Sequence, residues 1–217
     1  MAKKRGKDEE KLNYSAAVRE LKADGPERLY LLWGPEDYLR EQYLTQLKKI
    51  CLPEGEDDFS YKRMDGPGLD PIRLREALDA IPFMSERSFV ELRNVDINKL
   101  ANADECMKLL EDIPDYCTVA FVQSTQFEPD GRLKFVKALR GEAKELKFTQ
   151  QSQGMLTDWI VRRFAAAGKS IELDAAQRLI FISGDLMSRL IPEIDKIAAY
   201  AKGERVTVKD VDAVASH

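Results

Sequence analysis

Five short apolar runs, all but the last followed by a stretch in which apolar residues recur every three or four positions, constrain this chain most. The first run, Leu29–Trp33, is apolar throughout and is bracketed by Gly25-Pro26 and Gly34-Pro35. A strand apolar on both faces belongs inside a parallel sheet that helices cover on both sides. Tyr38, Leu39, Tyr43, Leu44, Leu47 and Ile50 then mark one face of an amphipathic helix. The alternation continues with a strand at 59–64 and a helix entered through Asp70-Pro71 that carries Ile72, Leu74, Ala77 and Leu78. A strand at 88–93, a helix at 103–112, a strand at 118–123, a helix at 131–140 and a strand at 145–148 complete it. Strands alternating with helices predict a doubly wound, mostly parallel α/β sheet. A helix capped by Ser15 and stopped at Gly25-Pro26 precedes it.

The polar stretch 149–154 ends this pattern, and no strand is expected beyond it. Leu156, Trp159, Ile160 and Phe164 form a helical stripe ending at Gly168. Asp174 opens a second helix that runs to Gly184, and Asp185 opens a third through Leu190, Ile194 and Ile197, which Pro192 is expected to kink. Thr207 caps a last helix starting near Val208. The division expected is a solvated lead-in over 1–12, an α/β domain over 13–150 and a small all-α domain over 151–217.

With 217 residues, 44% hydrophobic and 33% charged, and a net charge of -4, the chain has an ordinary globular composition. No overall basicity marks it as a dedicated nucleic-acid module. Its one histidine is His217, which leaves no imidazole for a catalytic triad, a general base or a histidine metal cage. Metal and hydrolase readings therefore start poorly, and no catalytic residue, metal or cofactor is expected. Cys51, Cys106 and Cys117 are odd in number and form no Cys-x-x-Cys pair, which favours reduced thiols in a cytoplasmic protein. The first twelve residues are charged and lack an apolar run, so they read as neither signal peptide nor membrane anchor.

The turn after the first strand is where doubly wound folds usually hold phosphates. A phosphate loop needs Gly-x-x-x-x-Gly-Lys-Ser/Thr. From Gly34 this chain has Leu39 at the second glycine, Arg40 at the lysine and Glu41 at the hydroxyl, with Glu36 and Asp37 placed where phosphates would lie. The acidic pair that would hold magnesium at a strand end is also missing, because the run from Phe89 leads into Arg93-Asn94. The turn is sterically filled and electrostatically wrong for a nucleotide.

Two further features invite a functional reading. Phe83 and Met84 stand in a loop with Ile81 and Pro82, either tucked under the sheet or presented as anchors for a partner's pocket. Residues 132–147 hold six basic and two acidic groups. Lys134, Lys137 and Arg140 there lie away from the Phe135, Val136 and Leu139 face, either as a solvated helix surface or as contacts to DNA phosphates.

Together these segments resemble the delta subunit family of the bacterial DNA polymerase III clamp loader. Residues 29–39 are similar to that family's "YLLxGxExxL" start, with Gly34 and Leu39 in register. Residues 77–87 resemble its "ALxxxPFFxxRR" elbow, with Met84 for the second aromatic and Ser88 for the second arginine. Leu156-Thr157-Asp158-Trp159-Ile160, Gly168, Gly184-Asp185-Leu186 and residues 193–200 follow the order of its lid, and residues 206–211 resemble its "ItxxDV" segment.

The resemblance implies an AAA+-like domain of P-loop NTPase descent without ATP hydrolysis, joined to a helical lid. It implies that Phe83 and Met84, shaped by Ile81 and Pro82, enter a pocket on the sliding clamp, the beta subunit, and hold the ring open. It further implies gamma/tau and delta prime subunits as partners, and primer-template DNA reached through the complex. The expected location is the bacterial cytoplasm, at the nucleoid-associated replisome. Met187 stands where active relatives carry a phosphate-sensing arginine, and the collar domain that follows the lid in this family is expected to be absent. A small NTPase or kinase with an unconventional site around Gly34 and Arg40 is the alternative reading.

Overall fold

The computed structural model describes residues 12–53, 55, 60–82 and 85–215. It divides into two compact units, one made of residues up to Gly34 with Leu39–Thr149, the other of Pro35–Tyr38 with Gln150–His217.

The first unit opens with α1 (Tyr14–Asp24). Asn13, not Ser15, caps it, its Oδ1 accepting the Ala16 N–H at 3.1 Å. Either side chain could cap, and asparagine wins because it sits one residue before the helix. Gly25 ends α1 at φ 83°, a left-handed conformation that glycine adopts without cost.

Then follow β1 (Leu29–Trp33), α2 (Asp37–Cys51), β2 (Tyr61–Asp65), α3 (Pro71–Leu78), β3 (Ser88–Arg93), α4 (Ala103–Glu111), β4 (Cys117–Val122), α5 (Lys134–Glu142) and β5 (Lys144–Lys147). The strands form one parallel sheet in the order β2-β3-β4-β1-β5. Leu31, Phe121 and Leu92 occupy matching register positions and join the core cluster that includes Leu74 of α3, Leu110 of α4 and Leu139 of α5. Strand alternation sends Tyr30 to the opposite face, where Tyr43 of α2 lies 6.3 Å from it and 5.9 Å from Phe148, ring to ring. All five β1 residues are buried, as a central strand of a covered parallel sheet requires.

Asp70 caps α3 with Pro71 at its first position. Helix α5 begins at Lys134, three residues later than the pattern suggests, because Asp130 accepts the Arg132 and Leu133 N–H groups and holds a turn there.

The second unit contains α6 (Gln153–Ala166), α7 (Leu173–Ser183), α8 (Met187–Tyr200) and α9 (Val208–Val214). Leu156, Ile160, Phe164, Leu179, Leu190, Ile194, Ile197 and Val211 are among its buried apolar residues along the helices. It also has two short strands that the sequence pattern does not predict, β6 (Ser170–Ile171) and β7 (Arg205–Val206), paired in parallel. Two residues cannot display alternation, so only the meeting of distant segments reveals them. Neither Asp174 nor Asp185 caps a helix: Glu172 and Leu186 hold those positions, without side-chain caps. Helix α8 is continuous through Pro192, and Thr207 and Asp210 form a capping box on α9. Among the described residues no helix is long and apolar enough to cross a membrane.

Candidate functional site

The first strand-to-helix turn is closed by its own side chains. Gly34 sits at φ 118° against β5's exit, where an added Cβ would fall 2.4 Å from the Phe148 carbonyl oxygen. The Phe148 N–H donates to the Trp33 carbonyl at 2.7 Å, which fixes that approach. Arg40 is buried and turns back on the loop, its Nη1 donating to the Gly34 carbonyl at 2.8 Å. Leu39, at the position of the second glycine, is buried too.

Glu41 and Arg93 meet face to face. Arg93 ends β3 and donates from Nη1 and Nη2 to the two Glu41 carboxylate oxygens at 2.9 and 2.6 Å. Its Nε donates to Glu91, a fully buried carboxylate that also accepts from Tyr61 Oη at 2.8 Å and lies 3.3 Å from Lys48 Nζ. Burial works to raise the Glu91 pKa, but hydrogen bonds from Arg93 and Tyr61 and the Lys48 charge outweigh it and hold the carboxyl below the ordinary glutamate range. The Glu41 bonds, first, and the Glu91 bond hold the Arg93 guanidinium charged.

These residues do not fit a magnesium nucleotide. Such a site pairs a hydroxyl with acidic groups around the cation. Here the hydroxyl position is a carboxylate, the strand end is a guanidinium, and the two bind each other. Sequence alone flags Arg93 as the wrong charge for metal. It misses Lys48, Tyr61 and Glu91 as its network, although a glutamate inside the apolar stretch Phe89-Val90-Glu91-Leu92 is a usable signal of a buried ion pair.

Glu36, expected where phosphates would lie, belongs to the second unit. It is fully buried, and its Oε2 accepts the N–H of Met187, the first residue of α8, at 3.3 Å. Tyr38 of the same segment stands edge-on to Trp159 of α6, the ring centroids 5.7 Å apart.

Phe83 and Met84 lie outside the described residues. Of the residues beside them, Ile81 is 76% exposed and Pro82 half-buried. The three basic residues of α5 have different surroundings. Lys134 pairs with Asp104 at 2.8 Å on an open surface, and Lys137 is exposed. Arg140 is half-buried, bonds Glu145 at 2.8 Å and lies 5.7 Å from the centre of the Trp33 ring. Trp33 in turn donates its indole N–H to Glu145 at 2.7 Å. Arg140 is thus bound into the packing around β1, and sequence spacing could not separate it from its two neighbours.

Residues 30–149 match the family model described as DNA polymerase III, delta subunit. The chain belongs to that family. DNA polymerase III subunit delta of Bacillus subtilis (strain 168) is 25% identical over 194 residues, covering 84% of this chain and 55% of the relative. The delta-family chain therefore spans about half the length of that curated relative. The fold is similar to the solved Bacillus subtilis DNA clamp loader delta protein, with a TM-score of 0.64 and 21% identity, covering 94% of this chain and 62% of that one. It is also similar to the Thermotoga maritima RuvB Holliday junction branch migration motor, with a TM-score of 0.61 and 18% identity over 92% of this chain and 65% of the other. At these identities the two structures speak to the fold alone.

Proposed function

We propose that this chain acts in DNA replication as a clamp-opening delta subunit that binds the sliding clamp through residues 81–84 and hydrolyses no ATP itself. The family match over 30–149, which spans that elbow, carries the reading. The closed first turn supports the second half: Gly34 is packed on Phe148, Arg40 is spent on Gly34, and Glu41 is spent on Arg93. The protein then works by differential binding, favouring an open or strained ring over the closed one. Its proposed partners are the clamp's beta subunit, the gamma/tau and delta prime subunits, and primer-template DNA held by the assembled loader.

The direct test is binding of a bacterial sliding clamp to the chain without nucleotide, measured by calorimetry. Binding is expected for the unmodified chain and a loss of about 2 kcal/mol or more for each of Phe83→Ala and Met84→Ala if they are hot spots. Equal affinities for the unmodified and doubly substituted chains would refute the elbow.

A further inference from the structure

Helix α8 has no side-chain cap of its own. Its N-cap residue is Leu186, and no acidic residue stands in its first turn. A helix N-terminus carries unpaired N–H groups and a partial positive charge, and both are met most simply by an oxygen acceptor. Glu36 supplies one from a distant part of the sequence, through the 3.3 Å bond from Met187 N to Oε2. The side chain is completely buried, and its Oε1 has no hydrogen-bond partner among the described residues. A second contact holds the same segment, the Tyr38 ring against Trp159.

We propose that Glu36 is a proton-operated cap of α8: the neutral carboxyl keeps the Pro35–Tyr38 segment docked on the helix start, and its ionisation loosens that segment. The neutral acid suits the site because its carbonyl oxygen can accept the Met187 N–H while no net charge is buried. The carboxylate does not, because Asp37 in the first turn of α2 and Asp185 ahead of α8 both act on it. Both are negative, so they oppose a further negative charge there. The helix dipole offsets only part of that cost.

Burial, first, and then the Asp37 and Asp185 charges push the Glu36 pKa up to about 7, against the opposing pull of the Met187 and Tyr38 N–H groups. A raised carboxyl pKa means that the docked state binds the proton more tightly than the undocked one. Its stabilisation is therefore full at acid pH and is lost as pH rises through about 7. The transition falls in the neutral range.

Amide hydrogen exchange at Met187, corrected for the intrinsic pH dependence, reads the cap directly. Protection is expected to fall by about tenfold per pH unit between pH 5 and 7 and to level off above. In Glu36→Gln, a neutral side chain of the same shape, it should stay high and independent of pH. A flat profile in the unmodified chain, or an equally steep one in Glu36→Gln, would overturn the proposal. Carbon-13 titration of the Glu36 carboxyl in the unmodified chain is independent of any variant: a midpoint near 7 supports the cap, and one below 5 refutes it.

Discussion

Arg93 at the end of β3 and Glu41 in α2 form a two-pronged ion pair, with N–O distances of 2.9 and 2.6 Å. Paired forks of this kind are the strong class of charge-assisted hydrogen bond. The pair ties α2 to the sheet directly, a link that in a working phosphate site passes through metal and nucleotide. The first prediction concerns its energetics. Glu41 is half-exposed, so Glu41→Ala should cost only about 1 kcal/mol in chemical denaturation. Arg93→Ala should cost about 3 kcal/mol, because it also strips a partner from buried Glu91.

The same network sets an acid limit. The Glu91 carboxyl titrates below the ordinary glutamate range, so the folded chain binds fewer protons there than the unfolded one. Its stabilisation is present at neutral pH and is lost as pH falls through the lowered folded value. Unfolding curves recorded down to pH 3 should show a shallower acid loss in Glu91→Gln, from a lower starting stability, than in the unmodified chain.

Gly34 and Gly25 both hold positive φ, yet they should tolerate alanine very differently. At Gly25 nothing lies within 4 Å of an added Cβ, so Gly25→Ala should cost about 1 kcal/mol, from backbone strain alone. At Gly34 the same methyl meets the Phe148 backbone at 2.4 Å, and neither strand can retreat without breaking the Phe148–Trp33 hydrogen bond. Gly34→Ala should therefore cost about 3 kcal/mol or more, measured as a loss of urea midpoint.

Nucleotide should leave the chain unmoved. Magnesium-ATP at millimolar concentration is expected to produce no saturable calorimetric signal, no turnover and no shift in Tm, since a ligand at a hundred times its Kd would add about 2.7 kcal/mol. A saturable signal with turnover would instead favour an enzyme built around Gly34 and Arg40.

On α5 the three basic residues should separate. Arg140→Ala is expected to destabilise the fold by about 1 to 2 kcal/mol through Glu145 and the Trp33 ring. Lys137→Ala should change stability by less than about 0.5 kcal/mol. If this face meets DNA in the assembled loader, Lys134→Ala and Lys137→Ala should each lower the salt dependence of DNA binding by about one counterion.

Much of the fold is legible in local pattern. The β1 run, the Asp70-Pro71 entry to α3 and the Thr207 cap of α9 are read from residues a few positions apart, because burial on both faces, a preset proline φ and a side-chain oxygen all act locally. Elements with weak local signals are misread. The β6–β7 ladder is too short to alternate, and α5 starts late because Asp130 binds the backbone ahead of it.

The candidate site divides along the same line. From its sequence the chain is already known to lack the glycine, lysine and hydroxyl of a phosphate loop, since missing functional groups are missing in every conformation. Only the tertiary structure decides what replaces them. Arg93 is 52 residues from Glu41, and Glu36 is 151 residues from Met187. Charge pairing and helix capping act over a few ångströms, and nothing in one-dimensional spacing says which groups the packing of helices on a sheet will bring within that reach.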